Sequence, residues 1–483
     1  MPAAHPYEGL MEVTIVGAGL VGCLLACFLA RRGHQVTLYE RRPDPRRTGA
    51  DRGRSINLAI SERGIDALRR IGLDREVLDT AIPMPGRMMH ALDGTLTFQP
   101  YSADRGHAIN SIGRADLNRV LLDAATAMPG VKVLFEHRLT GLDERTGILE
   151  FATGATARAR VVIGADGARS AVRGRLQQVP GVDFSQEYLD YGYKELTIPP
   201  RDGGWAMEPG ALHIWPRGRA MMIALPNPDR SFTCTLFWPH GDLAALDTPD
   251  RVRARFEAEY PDAFGLMPGL VDDYRANPVG HLVTVRCRPW HVTTEAATVA
   301  LIGDAAHAIV PFYGQGANCG FEDCVELDRC LAETGDDFPA ALERFERRKA
   351  DTDVIARLAL DNFVEMRDKV GSRLFLAGKR LEHALERALP GRYVSRYELV
   401  SFSTIPYSDV ERRVTRQRRI AAAAGGLAAA ALLTAAITRA GITRAGLTRA
   451  GITSARPTRG GLTRGGFTQD GLTQDGLTQD GFT

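Results

Sequence analysis

The stretch Val13-Thr14-Ile15-Val16-Gly17-Ala18-Gly19-Leu20-Val21-Gly22 decides the fold. Its first four residues, rich in β-branched side chains, read as a buried strand, and the last six fit GxGxxG. The apolar run after them, to about Arg32, reads as a helix. A glycine turn between strand and helix is the setting in which this motif binds a dinucleotide. Gly17 permits the tight turn, Gly19 lets a pyrophosphate reach the backbone, and Gly22 lets helix lie against strand. Free N–H groups at the helix start favour the phosphates. A second strand, Val36-Thr37-Leu38-Tyr39-Glu40, makes this a βαβ opening and predicts a parallel sheet. Glu40 ends that strand 18 residues after Gly22, placed for ribose hydroxyls.

Working outward, the periodicity predicts helices over 61–79 and 114–128, a strand over 131–135, and another from Ala159 to Ile163. From about 180 to 290, Pro, Trp and alternating segments such as 220–225 and 232–237 predict an inserted antiparallel sheet. Residues 297–302 return to a buried strand, and helical periodicity runs through 315–332, 338–370 and 372–388. Ile420 to Ile437 is an uncharged, Ala-rich stretch of 18 residues preceded by five arginines. Behind it runs a five-residue repeat of the Ala-Gly-Ile-Thr-Arg kind, interrupted by Pro457, which predicts a flexible low-complexity tail.

The balance of 60 Lys+Arg against 58 Asp+Glu, net +2, excludes a chain that holds nucleic acid by charge. Seven cysteines show no CxxC or zinc spacing, so neither a disulfide framework nor a metal site is expected. They read as reduced structural thiols. Met1 to Met11 lacks the pattern of a signal peptide, which makes a cytoplasmic protein the expectation.

Two further motifs stand behind strands: Gly164-Ala165-Asp166-Gly167-Ala168-Arg169 and Gly303-Asp304-Ala305-Ala306-His307. In each a carboxylate ends a strand and small residues let a ligand touch backbone. Asp304 suits a ribityl hydroxyl, and the N–H groups near Gly316, Ala317 and Asn318 suit the pyrimidine end of a flavin. With the first glycine turn, these motifs resemble the single-component FAD-dependent aromatic hydroxylases over roughly 11–390. More restricted strings narrow the likeness: Arg54-Ser55-Ile56-Asn57-Leu58-Ala59-Ile60-Ser61-Glu62-Arg63-Gly64, Pro85-Gly86-Arg87-Met88-Met89-His90, Gln99-Pro100-Tyr101, Gly113-Arg114-Ala115-Asp116, Pro311-Phe312-Tyr313-Gly314-Gln315-Gly316 and Asp361-Asn362-Phe363-Val364-Glu365-Met366. Together they resemble the kynurenine 3-monooxygenase family.

That resemblance implies an α/β fold: a Rossmann-like FAD-binding domain, an inserted antiparallel β-sheet substrate domain and a C-terminal helical region. The expected boundaries are 11–180 for the first part of the FAD domain, with a substrate-contacting segment at about 80–110, and 181–290 for the sheet. The FAD domain returns at 291–335, a helical region that completes the pocket spans 336–419, the apolar helix 420–437, and the tail 438–483. It implies FAD as cofactor, with NADPH, dioxygen and L-kynurenine as reactants, and 3-hydroxykynurenine as product by way of a flavin C4a-hydroperoxide, in tryptophan degradation toward quinolinate and NAD. Arg87 and Tyr101 would hold the substrate carboxylate, with Asn362 and Tyr397 completing the pocket. Phe312 and Tyr313 would lie against the ring, and Glu365 and Met366 sit one turn from Asn362. For FAD it implies Gly17, Gly19, Gly22, Glu40, Arg41, Arg114, Leu139, Asp166, Asp304, Gly316, Ala317 and Asn318. His307 is read as a residue behind the flavin loop, not a base. Relatives more often carry Phe or His at Tyr313 and Met at Ala317, and the first departure touches the substrate wall. Rival readings are a flavin hydroxylase for another aromatic acid and a non-catalytic flavin-binding scaffold. For 420–437, membrane contact, a helix on the body and disorder stay open.

Overall fold

The computed structural model describes residues 11–48, 57–102, 106–369 and 373–423. Arg54 to Ile56 of one motif, most of the apolar stretch 420–437 and the whole repeat tail 438–483 lie outside these residues. By its contacts the chain divides into 1–417 and 418–483, and both large sheets belong to the first unit. No helix among the described residues is long and apolar enough to cross a membrane.

Strand Glu12–Val16 lies at the middle of a six-stranded sheet. It pairs in parallel with Gln35–Tyr39 on one side and Val161–Gly164 on the other. Val131–Leu134 and Thr298–Leu301 extend it in parallel, and His291–Thr293 closes one edge antiparallel. Helix Leu20–Arg31 is buried along most of its length, as its unbroken apolar run requires. The strands behind the three glycine motifs thus end at the same edge of one parallel sheet, where ligands of such sheets sit.

The second large sheet has seven strands, in the order Gly280–Arg288, Asp183–Ile198, Phe232–Pro239, Ala220–Pro226, Leu212–Arg217, Gly86–His90, Leu96–Pro100. It differs from the expected antiparallel insertion in two ways. Gly86–His90 comes from far upstream and pairs with Leu212–Arg217 in parallel, so the sheet is mixed. Residues 240–276 are helical, not sheet: Pro249–Glu259, Leu270–Ala276 and two shorter turns bury Trp215, Met222, Leu236 and Trp238 on the sheet's outer face. The inner face, with Leu212, Met221, Ile223 and Phe237, turns toward the motif edge of the first sheet.

The helix expected over 61–79 is two helices, Glu62–Ile71 and Asp74–Thr80, because Gly72 takes φ +81° and caps the first. The pattern over 338–370 likewise divides. Phe338–Phe345 ends in a tight turn, Lys349–Val364 comes next, and Glu365–Lys369 is a π-helical turn. Gly316–Thr334 and Arg373–Ala388 match the remaining expectations closely.

Candidate functional site

The glycine loop is built as its spacing predicts. Gly17 has φ +105°, and a Cβ there would stand 2.6 Å from the Ala165 carbonyl oxygen. A Cβ on Gly22 would stand 2.0 Å from the Gly17 oxygen, so the helix can approach only without a side chain. Gly19 is different: nothing lies within 4 Å of its would-be Cβ, and it lines a cavity of about 300 Å³. Gly167, Asp304, Gly316, Ala317 and Arg114 line the same cavity. Its open glycine backbone is a cradle that a Cβ would fill, and that fits a dinucleotide's phosphates.

The acids around the cradle divide the work. Glu40 is buried; Oε2 accepts the Ala18 N–H at 3.0 Å, and Oε1 accepts from the Arg42 backbone and guanidinium. It therefore braces the glycine loop. Asp166 accepts the Ala171 N–H at 2.7 Å through Oδ2 and caps the next helix, while Oδ1 is buried without a partner. Burial pushes the Asp304 carboxyl up against the pull of Arg114 and His307. Arg41 is exposed and does not line the cavity. Leu139 packs into the first core, so its side chain is spent on the fold.

Asn318 does not line the cavity. It is a latch: Oδ1 accepts the Ser61 N–H at 3.0 Å, and Nδ2 donates to the Ala59 and Gly314 carbonyls. Beside it Gln315, which does line the cavity, accepts the Tyr407 hydroxyl at 2.9 Å. Arg63 lies fully buried under the Tyr407 ring at 3.8 Å, donating to the Val400 and Ile405 carbonyls and to Glu322. Behind the loop, His307 meets Asp323 at 2.7 Å, and Arg348 meets the other Asp323 oxygen at 2.5 Å. Burial opposes the Asp323 charge, but His307 and Arg348 outweigh it and hold the carboxyl below its usual range. His307, Cys319 and Asp323 stand within 4.8 Å of one another, yet a guanidinium already occupies the carboxylate. His307 is thus a supporting residue, as its motif position implies.

The substrate end is built on the second sheet. Arg87 lies 5.2 Å from the Tyr101 ring centre and 4.8 Å from that of Tyr397, and the two rings stack at 4.7 Å. Tyr313 stacks on Tyr397 in turn at 5.7 Å. Among the described residues no carboxylate pairs with Arg87; its Nε and the Tyr101 hydroxyl are buried without hydrogen-bond partners. A half-buried guanidinium facing a cavity with no anion beside it favours a ligand that supplies one. Phe312 and Met366 line the cavity, and Phe312 stacks on Phe363 at 4.0 Å. Asn362 does not reach the cavity wall: its amide donates to the Phe312 carbonyl at 2.7 Å and so holds that turn. Glu365 opens the π-helical turn, half-buried and off the wall.

Comparison with known proteins decides the family. The FAD binding domain family matches residues 10–353. Kynurenine 3-monooxygenase of Myxococcus xanthus is 52% identical over 405 residues, covering 82% of this chain and 86% of the relative. The Dictyostelium discoideum enzyme of the same name is 45% identical, covering 83% and 90%, and that of Sus scrofa 41%, covering 86% and 88%. This chain belongs to the kynurenine 3-monooxygenase family. As a member of that family it is an FAD-dependent monooxygenase. Among solved structures, 2-methyl-3-hydroxypyridine-5-carboxylic acid oxygenase shares the fold at TM-score 0.62 and 21% identity, over 76% of this chain and 95% of that one. PqsL of P. aeruginosa, in complex with 2-aminobenzoylacetate, does so at 0.61 and 22%, over 76% and 98%.

Five residues of the site escape sequence reasoning: Gln315, Tyr407, Arg63, Thr235 and Ser401. Arg63 and Gln315 stand inside restricted family motifs, so those motifs were a usable signal. Thr235, Ser401 and Tyr407 have no local mark.

Proposed function

We propose that this chain hydroxylates L-kynurenine at ring carbon 3, with NADPH and dioxygen as co-substrates and 3-hydroxykynurenine, NADP and water as products. One observation carries the reading: a half-buried Arg87, walled by two stacked tyrosines and without a carboxylate partner among the described residues, on a cavity that the open glycine cradle also lines. An α-amino acid supplies the missing carboxylate, and a guanidinium receives it through two parallel N–H donors. Tyr101 adds a neutral hydroxyl without a second full charge.

The chemistry that FAD supplies when bound is hydride acceptance and oxygen activation. Gly19, Gly167 and Gly316 give it backbone to lie on, Asp304 a ribityl acceptor, and Glu40 a ribose acceptor. The protein's own contribution to the ring step is orientation. Arg87 fixes the amino-acid tail, and Phe312, Phe237 and Met366 wall the ring and keep water out. The ring amine already pushes electrons toward its ortho and para carbons, so no side-chain base is needed before attack. The seven cysteines, all buried and unpaired, support a reducing cytoplasmic location, which fractionation of cells tests.

The direct test is turnover by purified, FAD-loaded protein. Kynurenine-stimulated NADPH oxidation with stoichiometric 3-hydroxykynurenine is expected. A preference for another aromatic acid in a substrate panel overturns the assignment.

A further inference from the structure

Two hydroxyls on the cavity wall, Thr235 Oγ1 and Ser401 Oγ, are buried without a hydrogen-bond partner. Thr235 is the more telling because of where it stands. It is 2% exposed and belongs to the inner sheet face, among Leu212, Met221, Ile223 and Phe237. Valine would fill the same volume in this apolar wall without an unpaired hydroxyl, which costs stability. The hydroxyl therefore calls for a ligand group.

The sheet register locates it. Thr235 pairs with Ile223, Ile223 with Ile214, and Ile214 with Met89, two residues along the strand from Arg87. Arg87 and Thr235 thus share one face, three strands or about 14 Å apart across the sheet. An extended arginine and an amino-acid aryl ketone laid end to end bridge such a span.

This inference rests on kynurenine as the substrate. In an ortho-aminoaryl ketone one amine N–H bonds internally to the ketone, and the other points outward beside carbon 3. Rotating the ring by a half turn about its bond to the ketone exchanges carbons 3 and 5. Both are activated, being ortho and para to the amine. A clamp on the carboxylate alone does not distinguish the two orientations. We infer that Thr235 Oγ1 accepts the outward N–H of the ring amine, and so selects carbon 3 over carbon 5.

The test compares Thr235→Val and Thr235→Ser as FAD-loaded proteins, by calorimetric titration with kynurenine and with benzoylalanine, which has the same skeleton without the ring amine. Thr235→Val is expected to bind kynurenine about fivefold more weakly and benzoylalanine as the wild type does, a loss of the size one neutral hydrogen bond gives. Thr235→Ser keeps the discrimination. Chromatography of the Thr235→Val products is expected to show 5-hydroxykynurenine beside the 3-isomer. Equal loss for both ligands, no loss for either, or an unchanged product ratio overturns the role. A wild type that fails to bind kynurenine removes the substrate reading itself, and this proposal with it.

Discussion

Arg87 is charged, half-buried and without a carboxylate partner among the described residues, and that combination fixes what its substitution does. Arg87→Ala removes a bidentate charge-assisted contact worth about 3 kcal/mol, so KM for kynurenine is expected to rise on the order of a hundredfold. Arg87→Lys keeps the charge but not the planar fork and recovers only part of the loss. Flavin absorbance of both variants should match the wild type, because Arg87 is carried by the second sheet and Gly19 by the loop that leaves the first. Loss of flavin in Arg87→Ala would refute that division of the site. At this scale the motifs marked side chains that the structure sets on the cavity wall, as with Arg87, Phe312 and Met366, or, for Tyr101, off that wall and beside Arg87. What spacing does not mark is a side chain that serves backbone: the Asn362 amide holds the Phe312 carbonyl and the Asn318 side chain holds two loops together.

The glycine loop separates fold from cofactor. Gly22→Ala drives a methyl into the Gly17 carbonyl and is expected to lower the melting temperature and abolish flavin binding together. Gly19→Ala meets open space, so the flavin-free protein should melt normally while its affinity for FAD drops, by fluorescence titration. Equal melting losses in the two variants would show that both glycines serve packing alone. Strand, turn and helix here were legible because their signals, apolar periodicity and glycine spacing, are local. The pairing of Gly86–His90 with Leu212–Arg217 was not, since a parallel partner more than a hundred residues away imposes no local period. Gly72 was a stop signal in plain view inside 61–79, and the amphipathic pattern outweighed it.

Acid sensitivity belongs to the whole molecule. His213, buried against His90 and the Glu208 carbonyl, has its pKa lowered by burial from 6.5 to about 4. The unfolded chain therefore binds that proton first, and stability is full above pH 6.5 and falls between there and about pH 4. Glu346 adds a second step. Burial opposes its charge, but His291, the Trp290 N–H and Lys349 bring it from 4.5 to about 2, so its share is lost between those values. Urea midpoints measured at about pH 7 and about pH 5 should fall for the wild type and fall less for His213→Asn. An equal drop would place the acid-labile proton elsewhere.

The Tyr407 ring closes over Arg63 and reaches Gln315 from near the far end of the folded body. Translation delivers that tyrosine after every other part of the cup around Gln315. A nascent chain therefore exposes its glycine loop long before the residue that closes the cup.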